Sequence, residues 1–184
     1  MITIMSDMLI ARLSKLANRE QPLAAGDILF RASDTVRSLF LVITGAVWLT
    51  RPLPNGLQLM LQRAGPGTIL AEASLFADHY HCDAAAAADA LVRAVPIRRL
   101  EQALAEEPGL ARAWTRHLAM EVQRARANSE VLSLKTVAAR VDAWAALNPG
   151  AFPPKGQWCQ VASEIGVTPE ALYRELARRG RQVR

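Results

Sequence analysis

Cysteine is almost absent from this chain: only Cys82 and Cys159 occur, far apart. Two thiols cannot build a four-thiolate iron–sulfur or zinc centre. They offer no disulfide framework either, which suits a reducing compartment. Long hydrophobic runs are missing too, since none approaches the roughly 18 apolar residues that suggest a membrane span. The opening "MITIMSDMLIARLSKLANRE" places Asp7 and Arg12 inside its apolar stretch. It lacks the basic start, unbroken apolar core and small-residue cleavage site of a signal peptide. A cytoplasmic protein with no membrane partner is expected. Aromatics are few, at 5%, but 51% of the 184 residues are hydrophobic, enough for a sizeable core in one large domain or two small ones.

Acidic residues are outnumbered, 17 against 22 Lys and Arg, for a formal charge of +5. That balance favours a polyanionic partner such as nucleic acid. From Phe152 to Arg184 there are six basic residues (Lys155, Arg174, Arg178, Arg179, Arg181, Arg184) and three acidic ones (Glu164, Glu170, Glu175), so the tail carries +3.

Three textures follow one another. Met8, Leu9, Leu13 and Leu16 recur at helical spacing over Asp7–Ala17. From about Pro22 to Pro96 the texture is β. Short apolar runs over 26–30, 38–50, 57–64 and 90–97 are set off by Gly26, Gly45, Gly56, Gly65 and Gly67. "PNG" (Pro54–Gly56) signals a hairpin, because Asn-Gly tolerates the positive φ of a tight turn. The alanine run Ala84–Ala88 favours helix by propensity, but its context favours strand. Many short, closely spaced strands predict an antiparallel barrel or sandwich. From Arg99 to Leu147 the texture is helical. Leu110, Trp114, Leu118, Val122, Ala125 and Leu132 form a narrow seam over more than 20 residues. Such a seam is expected to be covered by a second copy of the chain, with packing on its own barrel as the alternative. "LNPGAFPPKG" (Leu147–Gly156) then breaks the helix. The expected divisions are 1–108, 109–133 and 134–184.

"WCQVASEIGVTPEALYRELARR" (Trp158–Arg179) carries the most specific pattern. Val161, Ala162 and Ile165 line one face of a short helix, and Gly166 stands where a tight turn needs positive φ. Val167 plugs that turn. Thr168 can cap the next helix, and Pro169 suits its first position. Leu172 and Leu176 face inward, leaving Glu170, Tyr173, Arg174 and Arg178 outside. This is a helix-turn-helix pattern, whose second helix enters a major groove of double-stranded DNA. Arg174 suits a guanine edge, with Glu170 accepting from a cytosine or steadying Arg174. Thr168, Arg178, Arg179 and Arg181 suit phosphates.

"HYHCD" packs His79, His81, Cys82 and Asp83 within five positions. The plain reading is a polar hairpin tip with a small buried cysteine. The alternatives are a metal or haem held by His79, His81 or Cys82, with His117 joining, or a redox-active Cys82. No metal is the expectation. Glu72, His79, His81 and Asp83 are acid–base types, but no nucleophile–base pair or phosphate-cradling glycine loop accompanies them, so no enzyme is expected.

In order and spacing the chain resembles the Crp/Fnr family of bacterial transcription regulators. The likeness rests on "GDILFRASD", "SLFLVITGAVWL" and "GTILAEASLFAD", on "TVAARV" (Thr136–Val141), and on "IGVTPEALYRELAR". The resemblance implies an α+β protein: a cyclic-nucleotide-binding-type jelly roll, a long dimerisation helix, and a winged helix-turn-helix on palindromic DNA. RNA polymerase is a further implied partner. It also implies a phosphate cassette reading Gly-Glu and, ten residues after the Glu, Arg followed by Ser or Thr. Here Glu72 is kept, Ala71 replaces the glycine, and Cys82 and Asp83 stand at the Arg and hydroxyl positions. The hydroxyl pair that meets the base falls on Ala125 and Arg126. A phosphate beside Asp83 with no arginine is repelled, so no tight cyclic AMP or cyclic GMP binding is expected. The effector is then another small molecule or none. Pro169 stands where some members place a base-reading arginine, and the chain stops at Arg184, early for a full wing. A short or missing wing and a truncated chain both fit. The second functional reading is a cyclic-nucleotide-fold sensor acting as a protein-interaction module.

Overall fold

The computed structural model describes residues 2–52, 58–150, 153, 154, 156 and 158–182. The expected Pro54–Gly56 hairpin lies outside the described residues. The chain divides into two compact units, Met1–Leu118 and Ala119–Arg184.

The first unit contains α1 (Ile2–Leu16), β1 (Arg19–Leu23), β2 (Ile28–Phe30), β3 (Ser38–Pro52), β4 (Gln58–Ala64), β5 (Ile69–Leu70), β6 (Asp83–Pro96), α2 (Ile97–Glu106) and the start of α3 (Pro108–Ser133). All strand pairs are antiparallel, in the order β1-β6-β3-β4, with β2 also on β6 and β5 also on β3. The long strands β3 and β6 form the spine. Their residues alternate between two cores, as the pleat requires. Phe40 and Val42 join Val92 and Ala94 in one core, while Leu39 and Leu41 join Leu13, Leu100 and Trp114 in the other. Each fully buried aliphatic side chain contributes roughly 1.5–3 kcal/mol.

Gly45 does not end a strand, as its place among the spacer glycines implied. It sits within β3, where the register with β6 shifts between Val42 and Val47. The shift changes the parity of the strand, so that Val47 and Leu49 face the same core as Phe40 and Val42. A bulge does this, because one extra residue turns every later side chain over. The alanine run lies in β6, and context does override propensity there. Ala84 and Ala86 are buried in the core where the Phe30 and Tyr80 rings stack, centroids 4.0 Å apart. β1 begins earlier than the expected β texture. Its Pro22 fits because β1 is the outermost strand of the order.

The second unit holds the rest of α3, α4 (Val137–Leu147), α5 (Trp158–Glu164) and α6 (Pro169–Gln182). Thr136 caps α4, accepting a hydrogen bond from the Ala139 amide at 3.1 Å. Val131, Val141, Trp144, Val161, Ile165 and Leu172 make its core. α5 ends in a Schellman-type turn: Val167 N–H donates to the Ala162 carbonyl at 2.9 Å, and Gly166 holds φ +63°.

Leu110 and Trp114 are each 4% exposed and belong to the first unit's own core, with Leu118 packed against it. They were expected at a dimer interface, and that expectation is corrected. The first turns of α3 cover the hydrophobic face that α1, α2 and the sheet leave open. Of the six seam positions, Val122, Ala125 and Leu132 are exposed. The first unit therefore runs past residue 108.

Among the described residues no helix is long and apolar enough to cross a membrane.

Candidate functional site

The cassette-like segment forms one end of the first unit. Ala71 takes φ +66°, ψ 18°, the left-handed geometry that glycine adopts freely, and leads into a single 3-10 turn over Glu72–Ser74. An alanine there costs roughly 1–2 kcal/mol, so the backbone shape survives the lost glycine. Asp83 is engaged: its Oδ1 accepts from the Ala32 amide at 2.6 Å, tying the β2–β3 loop to the start of β6. Cys82 is 1% exposed. Burial pushes its thiol up, Arg51 opposes the shift, and Asp83 and Glu72 add to it. A neutral, enclosed thiol is a poor nucleophile and a poor redox trigger.

The histidines do not join Cys82. His79 is exposed and bridges to Thr35, His81 is exposed with Nδ1 3.3 Å from Ser74 Oγ, and Cys82 faces the core. His117 lies beside Trp114 on α3, ring centroids 5.8 Å apart. Among the described residues no group of three His, Cys, Asp or Glu side chains converges to hold a metal ion.

The second candidate is the α5–turn–α6 segment. Thr168 caps α6, its Oγ1 accepting from the Ala171 amide at 3.2 Å, and Pro169 is the first residue of the helix. Glu170 lies at the exposed start of α6. Its carboxyl is held below the ordinary range by its own amide, by the Thr168 hydroxyl and by the Arg174 charge. Arg174 is exposed, with Nε 3.4 Å from the Glu170 carbonyl oxygen. Thr168, Glu170 and Arg174 thus gather on the first two turns. Tyr173 differs from its expected outward placement: it is half-buried against Trp158, ring centroids 5.1 Å apart.

Arg179, expected at phosphates, has partners within its own unit: Nη1 donates to Asp142 at 2.5 Å, Nε to Glu175 at 2.7 Å and Nη2 to the Ala138 carbonyl at 2.9 Å. Its position on α6 faces α4, so it braces the two helices. Arg178 shares Glu175, at 2.7 and 2.9 Å, but stays more than half exposed. The Arg178 and Arg179 guanidinium groups lower the Glu175 carboxyl from its usual 4.5 to about 2. Because the folded value lies below the unfolded one, the stabilisation is complete above about 4.5 and is lost as pH falls through about 2. Acid titration should therefore weaken the pairs within α6 that Glu175 makes with Arg178 and Arg179 in that window. In Glu175→Gln, the pH dependence of the second unit's melting between 4.5 and 2 should flatten.

Comparison with known proteins adds the family. Residues 20–107 match the cyclic nucleotide-binding domain family. The crystal structure of the N-terminal domain of a transcriptional regulator from Streptomyces coelicolor is 30% identical over 65% of this chain and 84% of that one, with a TM-score of 0.54. The chain belongs to the cyclic nucleotide-binding domain family. More of the chain is spanned by FixK2 from Bradyrhizobium japonicum, at 22% identity, 89% of this chain, 85% of that one and TM-score 0.71. The c-di-GMP responsive global regulator CLP of Xanthomonas campestris gives 19%, 96%, 92% and 0.68. These two show the fold. No curated protein matches the chain in sequence.

In this cyclic nucleotide-binding domain, sequence reasoning missed Arg51. Leu49 pairs with Ala84 and Thr50 with Asp83, the last pair of the two strands, which leaves Arg51 one position further along β3, where it is exposed. Arg51 is the cation that acts on the Cys82 thiol. Only strand register reveals this, because the two residues are distant in sequence. Arg51, Asp83 and Glu72 are the charged groups that act on the Cys82 thiol. Ala125 and Arg126 stand exposed on α3, in the second unit.

Proposed function

We propose that the chain is a Crp/Fnr-type transcription regulator that works as a homodimer and reads a palindromic DNA site with α6. The observation that carries this is the start of α6. A glycine turn delivers a Thr-capped, Pro-started helix whose first exposed side chains are Glu170 and Arg174. The base edges of a major groove meet the first turns of a recognition helix. The regulator names borne by its structural neighbours support the reading. Arg174 reads a base, with Glu170 beside it, while Thr168 and Arg178 meet phosphates. Val122 and Ala125, exposed on α3, serve the dimer contact. The protein is cytoplasmic and has no catalytic role.

Arg174→Ala should cost about 1–3 kcal/mol at one specific base pair. Competition of single-base operator variants against both proteins measures it. A loss spread evenly over all sequences would make Arg174 a backbone contact.

The domain is not an ordinary cyclic-nucleotide sensor, because Cys82 and Asp83 stand at the phosphate-binding positions. Adding cyclic AMP should leave the melting temperature unchanged. A second reading is favoured by Arg51 alone: a guanidinium whose charge acts on Cys82 offers an anion the charge that Cys82 cannot. A rise of several degrees with cyclic AMP that disappears in Arg51→Ala would establish that second reading.

A further inference from the structure

Arg140, on α4, donates to four backbone carbonyls and, among the described residues, to no carboxylate. Nε reaches the Leu134 oxygen at 2.8 Å and Nη2 the Leu132 oxygen at 3.0 Å, both at the end of α3. Nη1 reaches the Ile165 and Gly166 oxygens, each at 3.0 Å, in the turn between α5 and α6. The last carbonyls of a helix have no partner within it, and they carry the negative end of the helix dipole. Two such ends, those of α3 and α5, meet here. Without a cation between them they would repel and leave acceptors unpaired. A guanidinium answers both needs, since its five N–H donors spread in a flat fork and reach in several directions at once. A lysine presents its donors from a single point and cannot span the two ends.

The turn is fitted to this joint. A Cβ on Gly166 would come 2.7 Å from Leu132 Cδ2 and 3.3 Å from Arg140 Nη1, and φ there is +63°. Leu132, one of the positions expected in the dimer seam, therefore has a neighbour within its own unit. The helix α6 begins at Pro169, directly after the turn that Arg140 holds.

We propose that Arg140 is the positioning residue that couples the end of α3 to the direction of α6. It locks the last turn of one helix and the turn that launches the other onto one guanidinium, so whatever rotates the end of α3 rotates α6 with it. The coupling stands on unit geometry alone; its consequence for DNA rests on the proposed function.

Hydrogen exchange of the full-length protein tests the joint directly, comparing wild type, Arg140→Gln and Arg140→Lys. In Arg140→Gln, amides over 132–136 and 164–168 should exchange at least about tenfold faster, together, while the middle of α6 and the whole Met1–Leu118 unit keep their rates. Arg140→Lys keeps the charge and most of the bulk, so it should stay folded. It should still loosen 164–168, because the fork is lost. On a DNA site selected with wild type, both variants should bind at least about tenfold more weakly with an unchanged salt slope, since no phosphate contact is removed. Wild-type exchange over 164–168 in both variants would overturn the proposal. So would uniform loss of protection over 119–184 in Arg140→Gln alongside wild-type exchange in Arg140→Lys. If wild type selects no DNA, the reader assignment fails, and the exchange data still decide the joint.

Discussion

Gly45→Val is expected to abolish the cooperative unfolding transition of the Met1–Leu118 unit. Gly45 holds φ +78° inside β3, and a Cβ there would come 2.6 Å from the Ala90 Cα and collide with the Asp89 carbonyl oxygen. Both obstacles are backbone, so no rotamer change relieves them. A β-branched residue adds strain of roughly 1–2 kcal/mol at positive φ, and displacing β6 from β3 adds more. Backbone collision on top of that strain is the kind of change whose cost reaches about 4–5 kcal/mol or more, against a typical total stability of about 5–15 kcal/mol. The bulge also sets which side chains face the core. Without it, Val47 and Leu49 turn outward and Trp48 turns inward. Circular dichroism melting checks this. A transition within about 5 °C of wild type would show that the bulge relaxes without Gly45.

Leu172→Ala should remove DNA binding while sparing the first unit. Leu172 is fully buried among Val161, Ile165 and Trp144. Truncating such a leucine costs about 2–5 kcal/mol, because the cavity only partly collapses. A small unit has little surplus to absorb that loss. Release of α6 should also separate Trp144 Nε1 from Glu164, now 2.7 Å apart, and shift tryptophan emission to the red. The Met1–Leu118 unit should still melt where wild type does. Arg174→Ala is the matching control, since it should weaken binding at one base pair with no change in melting. If Leu172→Ala keeps wild-type melting and affinity, the core of the second unit does not hold α6 in place.

The local features were legible in the sequence. Gly166 takes positive φ and Thr168 caps α6, because turn and cap chemistry involve residues only two or three apart. Strand texture and the break after Leu147 followed from periodicity and from proline for the same reason. Ala84–Ala88 was resolvable only by weighing context against propensity, and its place in β6 shows tertiary pairing overriding a weak local preference.

Faces were a different matter. A narrow stripe on α3 looks the same whether a second copy or the chain's own sheet covers it, and Leu110 and Trp114 went to the sheet. An arginine near a helix end looks solvent-facing until its neighbours are known, and Arg179 proved to be held by Asp142, Glu175 and the Ala138 carbonyl. The action of the Arg51 charge on Cys82 depends on β3 and the start of β6 being brought together by pairing between distant strands.

By itself, then, the order of residues determined the kinds of element, their sequence and the chemistry of their ends, since those energies act over a single turn. Only the folded chain decided which side of each element is covered, which arginines are spent on carbonyls and carboxylates, and that Arg140 joins two helix ends. Those outcomes depend on contacts between residues far apart along the chain, which no local pattern records.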